Sequence, residues 1–158
     1  MKNFKHILKI LMILTVVSLS AQQKNERFEK FKEMKLNFIL ENTEMTSEEE
    51  GIFKELFEVS ENKYHNEVWV LKRKVRKSIA KEFETISSEG ASKYITDYYQ
   101  FEQLGMSIKH QRNQKLLKNL RPKIVLRILN QEKEFDEVMF KRIRNNNKDT
   151  RKKEKDRK

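Results

Sequence analysis

Apolar residues recur along most of this chain at the three- and four-residue spacing of an α-helix. The spacing predicts a first helix over residues 25–42, where Phe28, Phe31, Phe38 and Ile39 stand among Glu and Lys. A polar run from Asn42 to Ser47 ends it. Thr46-Ser47-Glu48-Glu49 then has the form of a capping box, in which the Thr46 hydroxyl accepts the N–H three residues on and Glu49 reaches back to the N–H of Thr46. Glu48 and Glu50 add negative charge where the helix dipole favours it. From Ser47 to about Ile86 only Gly51 interrupts good helix formers, so one very long second helix is expected, on the order of 60 Å. Phe53, Phe57, Tyr64, Val68, Leu71, Val75, Ile79 and Ile86 fall on one stripe of that helix. Ile52, Leu56 and Val59 form a second apolar face in its first half. The expectation is therefore a first half sandwiched on two sides and a second half with one buried side.

The run from Ser87 to Ser92 reads as a turn, with Ser92 placed to cap a third helix, Lys93 to about Asn119. That helix should bury Tyr94, Tyr98, Phe101, Ile108 and Leu116, with Gly105 on the same side. Gly105 serves either close approach by a neighbouring helix or nothing at all. Leu120-Arg121-Pro122 ends the helix, and Pro122 suits the first position of a fourth helix carrying Val125, Ile128, Leu129, Phe135, Val138, Met139 and Ile143. No apolar residue occurs after Ile143, and residues 145–158 read as a basic, solvated tail, either frayed helix or disordered.

At the other end, Lys2, Lys5 and Lys9 precede an apolar run from Ile10 to Val17, followed by Ser18, Ser20 and Ala21. This is the layout of a secretory signal peptide over residues 1–21, cleaved near Ser20 or Ala21. The apolar run is well short of the roughly 20 residues that span a bilayer. The expected setting is the periplasm, with residues 22–144 as one helical domain.

Charge sharpens this division. The chain holds 35 Lys and Arg against 24 Asp and Glu, a net charge of +11. Three of the bases and no acid lie in residues 1–21, and ten bases against three acids lie in residues 141–158. The remainder is close to neutral, so the basic character belongs to the two ends. Three Gly, one Pro and no Cys argue against glycine-rich phosphate loops, turn-rich β-sandwiches, disulfide scaffolds and thiolate zinc sites. An all-α fold, a four-helix elongated hairpin or bundle, is expected.

The order of signal segment, short helix, capped long helix and Leu-x-Pro start of the last helix resembles the Spy/CpxP-like LTXXQ-motif family of envelope proteins. It is most similar to the short members that act as sensors for an extracytoplasmic-function sigma factor. The first motif copy is Met45-Thr46-Ser47-Glu48-Glu49, with Met45 for Leu and Glu49 for Gln. The second is degenerate: Leu120 matches, Arg121 replaces Thr, Pro122 is a filler and Ile124 replaces Gln. Arg121 cannot cap as Thr does. The resemblance implies a cradle-like homodimer acting in the periplasm as an ATP-independent chaperone of protein clients, or as a stress or metal sensor restraining a membrane-bound signalling partner. It implies no enzyme and no cofactor.

The residues themselves offer one binding candidate. Trp69, Arg73 and Arg76 cluster on a flank of the long helix beside its apolar stripe, with Lys72 and Lys77 at the edges. Apolar contact combined with cation–π attraction makes Trp and Arg effective partner-binding residues. The bland reading is an interhelical packing contact with the cations snorkelling from it. Glu61 and His65, four apart, could supply half a metal site, but His110 is the only other His outside the signal segment, so no metal site is expected. Met34, Met45, Met106 and Met139 are too dispersed for a soft-metal cluster. No nucleophile stands at readable spacing from a base. The export signal and the near-neutral body argue against nucleic acid. The alternative is a structural or tethering protein whose tail grips anionic membrane or envelope polymers. Finally, residues 103–131 contain no acid while residues 41–67 carry nine acids and two bases, a segregation that a helix-to-helix charge match within the fold would explain.

Overall fold

The computed structural model describes residues 26–155, with side chains to residue 145. The expected signal peptide lies outside these residues. The described residues divide into two units, one ending at Phe38 and one beginning at Ile39. Every described element is helical: α1 over 26–41, α2 Ser47–Tyr64, a π turn His65–Trp69, α3 Val70–Glu82, α4 Ser88–Asn119 and α5 Pro122–Lys155. The fold is all-α, as the spacing predicts.

Within the first unit α1 carries its own charge pairing. Lys32 donates to Glu29 one turn back at 2.8 Å and sits over the Phe28 ring at 5.4 Å.

In the second unit α2 starts where the capping box places it. The Thr46 hydroxyl accepts from the Glu49 N–H at 3.2 Å, and Glu49 Oε2 accepts from the Thr46 N–H at 3.0 Å. The helical run from Ser47 does not remain α-helical: the Val70 N–H donates to the His65 carbonyl, five residues back, which makes His65–Trp69 a π turn between α2 and α3. The run also stops at Glu82 instead of continuing to Ile86, and Phe83 to Thr85 form a turn. α4 begins earlier than expected, at Ser88. Its cap is Ser87, whose hydroxyl accepts from the Gly90 N–H at 3.1 Å, and not Ser92.

The core of this unit follows α4, which packs on α2 and the π turn and also on α5. Phe53 and Phe57 are fully buried, with ring centroids 5.5 Å apart, and Val68, Ile108, Leu116, Val125, Ile128 and Phe135 are buried as well. Each fully buried aliphatic or aromatic side chain contributes about 1.5–3 kcal/mol, so this cluster holds the helices together. α4 and α5 run antiparallel across Leu120-Arg121. Their pairing is fixed by the buried Arg112, whose two Nη donors reach both Glu132 oxygens at 2.6 and 2.7 Å, while Nε and Nη2 donate to Asn113.

Outside this region burial falls away. α3 contains no buried residue, so the one buried side expected for the second half of the long helix is only half-covered. Val59 is exposed despite the predicted second face, and in the far half of α5 Val138 and Ile143 are exposed despite their helical spacing. α5 meanwhile stays helical to Lys155, the frayed-helix form of the two readings of the tail. Nothing after Pro122 breaks a helix, and Lys, Arg and Glu are good helix formers.

Candidate functional site

Tyr64 is the last α-helical residue before the π turn, and it leans onto α4 at Gly105. A Cβ placed on Gly105 would lie 2.9 Å from Tyr64 Cε2 and 3.7 Å from Val68 Cγ1. The absent side chain is therefore what admits the ring, which resolves the two readings of this glycine in favour of close approach. Lys109 adds a cation to this contact, 5.6 Å from the Tyr64 ring centroid.

The π turn then changes which residues face α4. An α-helical stripe through Tyr64 and Val68 continues to Leu71 and Val75, whereas a turn closed by a five-residue bond accommodates one extra residue and rotates the positions after it by about 100°. Leu71 is accordingly 40% exposed, and Lys72 takes the place over α4. Its ammonium donates to Glu102 and lies 4.4 Å from the Tyr98 ring centroid. Burial pulls the Lys72 pKa down, but the hydrogen bond and charge of Glu102, helped by Tyr98 and Tyr64, outweigh it and hold the pKa above the usual lysine value. The same bond holds the Glu102 carboxyl below its ordinary value.

Between the π turn with α3 and the first half of α4 lies a groove of about 390 Å³. Trp69, Lys72, Arg73 and Arg76 supply one wall, together with Val75; Tyr94, Tyr98 and Phe101 supply the other. Trp69 is held along its helix by neighbours one turn away on each side. His65 stacks on it with centroids 5.1 Å apart and planes 19° apart, and the Arg73 guanidinium carbon lies 5.1 Å from its centroid. The indole is nonetheless 44% exposed. Tyr94 and Tyr98 pack at 6.4 Å, and Tyr98 meets Tyr99 edge-on at 6.1 Å.

Four of the five expected binding residues, Trp69, Lys72, Arg73 and Arg76, thus line one groove, and Lys77 is exposed outside its lining. The aromatic wall from α4 was legible only as expected core. Its tyrosines carry a helical spacing that reads the same whether the covering helix is present or not. Among the described residues no three His, Cys, Asp or Glu side chains converge on a point where an ion would sit. His65 is engaged with Trp69, and His110 is exposed.

The capping residues form a second, structural constellation. Arg121, which replaces the expected Thr, leaves its own helix uncapped by its side chain and reaches across to α2. Its Nε donates to Glu49 Oε1 at 2.7 Å and its Nη2 to Glu49 Oε2 at 2.8 Å. The carbonyl of Arg121 still accepts the first amides of α5, from Ile124 and Val125. The two motif copies are therefore joined by one carboxylate, which caps α2 and binds the guanidinium at the start of α5. The hydrogen bond from Arg121, then that from the Thr46 amide, lowers the Glu49 pKa to about 2. Leu120 is buried beside this junction, Pro122 opens α5 and Met45 is half-buried ahead of the cap. Of the segregated charges, Glu49 and Arg121 form one pair that joins the acidic and the acid-free stretches; Lys115, Lys118, Lys123 and Arg127 are exposed.

No protein-family model, curated protein or solved structure matches this chain.

Proposed function

We propose that this chain is an exported, non-enzymatic helical binding protein that engages segments of other proteins, either as an ATP-independent periplasmic holding chaperone or as an envelope stress sensor acting on a membrane-bound partner. The observation that carries this reading is the groove beside the π turn, where an exposed indole, two tyrosines and a phenylalanine are interleaved with Arg73 and Arg76. Such a surface attracts apolar segments by area and charged segments by cations, the combination found at protein-binding hot spots. The half-covered apolar side of α3 extends it, since Val70, Leu71 and Phe83 are exposed. A homodimer covering part of this face belongs to the same reading. The order of capping motifs, resembling the LTXXQ family, supports the exported setting.

The test is light scattering from a chemically denatured protein diluted into buffer without ATP. The full chain at several-fold molar excess should suppress aggregation, and Trp69→Ala/Arg73→Ala should weaken the suppression several-fold. Absence of suppression overturns the chaperone form of the reading. A sensor form predicts instead that the same double variant loses its hold on the membrane partner in a pull-down from envelope extracts.

A further inference from the structure

The groove has a charge preference that its aromatic content hides. Three cations line it, but they are not equivalent. Lys72 is committed to the carboxylate of Glu102, and its charge is compensated there. Arg73 lies against the Trp69 ring, and neither Arg73 nor Arg76 is paired with a carboxylate among the described residues. Two guanidinium groups one turn apart therefore face solvent over an aromatic floor. Guanidinium bound to a carboxylate makes two parallel, charge-assisted hydrogen bonds, about twice as strong as neutral ones.

The dimensions limit the occupant. Trp69 to Arg76 and Tyr94 to Phe101 each span seven residues of helix, about 10 Å. That matches about three residues of extended chain at roughly 3.3 Å each.

We infer that the groove selects short acidic peptide segments in which an aromatic side chain is followed closely by carboxylates, the ring resting against Tyr94, Tyr98 and Phe101 and a carboxylate taken by Arg73 and Arg76. This rests on the protein-binding reading above and names the class of segment that reading requires. A basic segment is disfavoured because no residue lining the groove is acidic and Glu102 beside it is already occupied by Lys72.

The molecule carries its own reporter, since Trp69 is the only tryptophan in the chain. Titration of the full chain with the peptide Gly-Phe-Asp-Glu-Gly, followed by Trp69 fluorescence, should give binding about tenfold tighter than with Gly-Phe-Lys-Lys-Gly or Gly-Phe-Ser-Ser-Gly, a factor equal to about 1.4 kcal/mol. Added salt should erode the preference. Arg73→Glu/Arg76→Glu, both outside the core, should reverse the order of the acidic and basic peptides, and a reversal cannot arise from misfolding. Equal binding of all three peptides, or an unreversed order in the charge-swapped variant, overturns the inference. If the aggregation assay is positive while the peptides are not distinguished, the inference fails and the protein-binding reading stands. If neither peptide binding nor suppression of aggregation is seen, the inference and the chaperone form of the reading both fail, and loss of the pull-down as well ends the protein-binding reading.

Discussion

Glu49 does three things at once: it closes the capping box of α2, accepts both bonds from Arg121, 72 residues on in sequence, and so links the starts of two helices. Its carboxyl ionises near pH 2 in the fold against an ordinary value of 4.5. A depressed carboxyl pKa contributes stability that is fully present above about pH 4.5 and is lost as pH falls toward 2. Glu49→Gln should therefore lower the urea midpoint at neutral pH, flatten the acid limb between those values and leave no difference from the parent below about pH 2. A variant whose acid limb matches the parent's would show that the pair adds nothing. Thr46→Ala should cost about 1 kcal/mol at all these pH values in the same urea titrations, because it removes a cap hydroxyl and no charge. The capping box was legible in four consecutive residues. The role of Arg121 was not, because as a substitute for Thr it reads as a lost cap, and only the folded chain shows the side chain crossing to another helix.

At the scale of elements the π turn is the decisive feature. Spacing alone predicts a straight stripe from Phe53 to Ile86, and it holds as far as Val68, which is buried. Beyond that point Leu71 is exposed and Lys72 is the residue that reaches α4, at Glu102 and Tyr98. A single-sequence stripe has no means of recording such a shift, since no Pro or Gly marks it. The flank of Trp69, Arg73 and Arg76 was nevertheless readable, because those residues share a face under either register. Tyr64 and Gly105 anchor the turn on α4. Gly105→Ala places a Cβ 2.9 Å from the Tyr64 ring and should destabilise by about 1–3 kcal/mol despite the better helix propensity of alanine. In a Tyr64→Leu background the same substitution should be neutral or stabilising by up to about 1 kcal/mol, as denaturant unfolding of the four-member cycle will show. Additive effects across the cycle would mean that the two residues do not meet.

For the whole molecule, burial in the second unit is concentrated on α2, the π turn, the second half of α4 and the first half of α5, while α3 and the far half of α5 are left half-covered or exposed. Apolar periodicity gave the all-α class but not the break at the π turn or the start of α4, and it assigned burial too generously, since it cannot tell a face covered within the chain from one left for a partner. The same unmet burial in α3 and the first half of α4 coincides with the groove and its cations. The central claim is that this surface binds other proteins. Aggregation of a denatured protein, followed by light scattering with the full chain present and no ATP, tests it most directly. The account predicts suppression at several-fold molar excess that the Trp69→Ala/Arg73→Ala variant largely loses; equal suppression by the variant and the parent would contradict it.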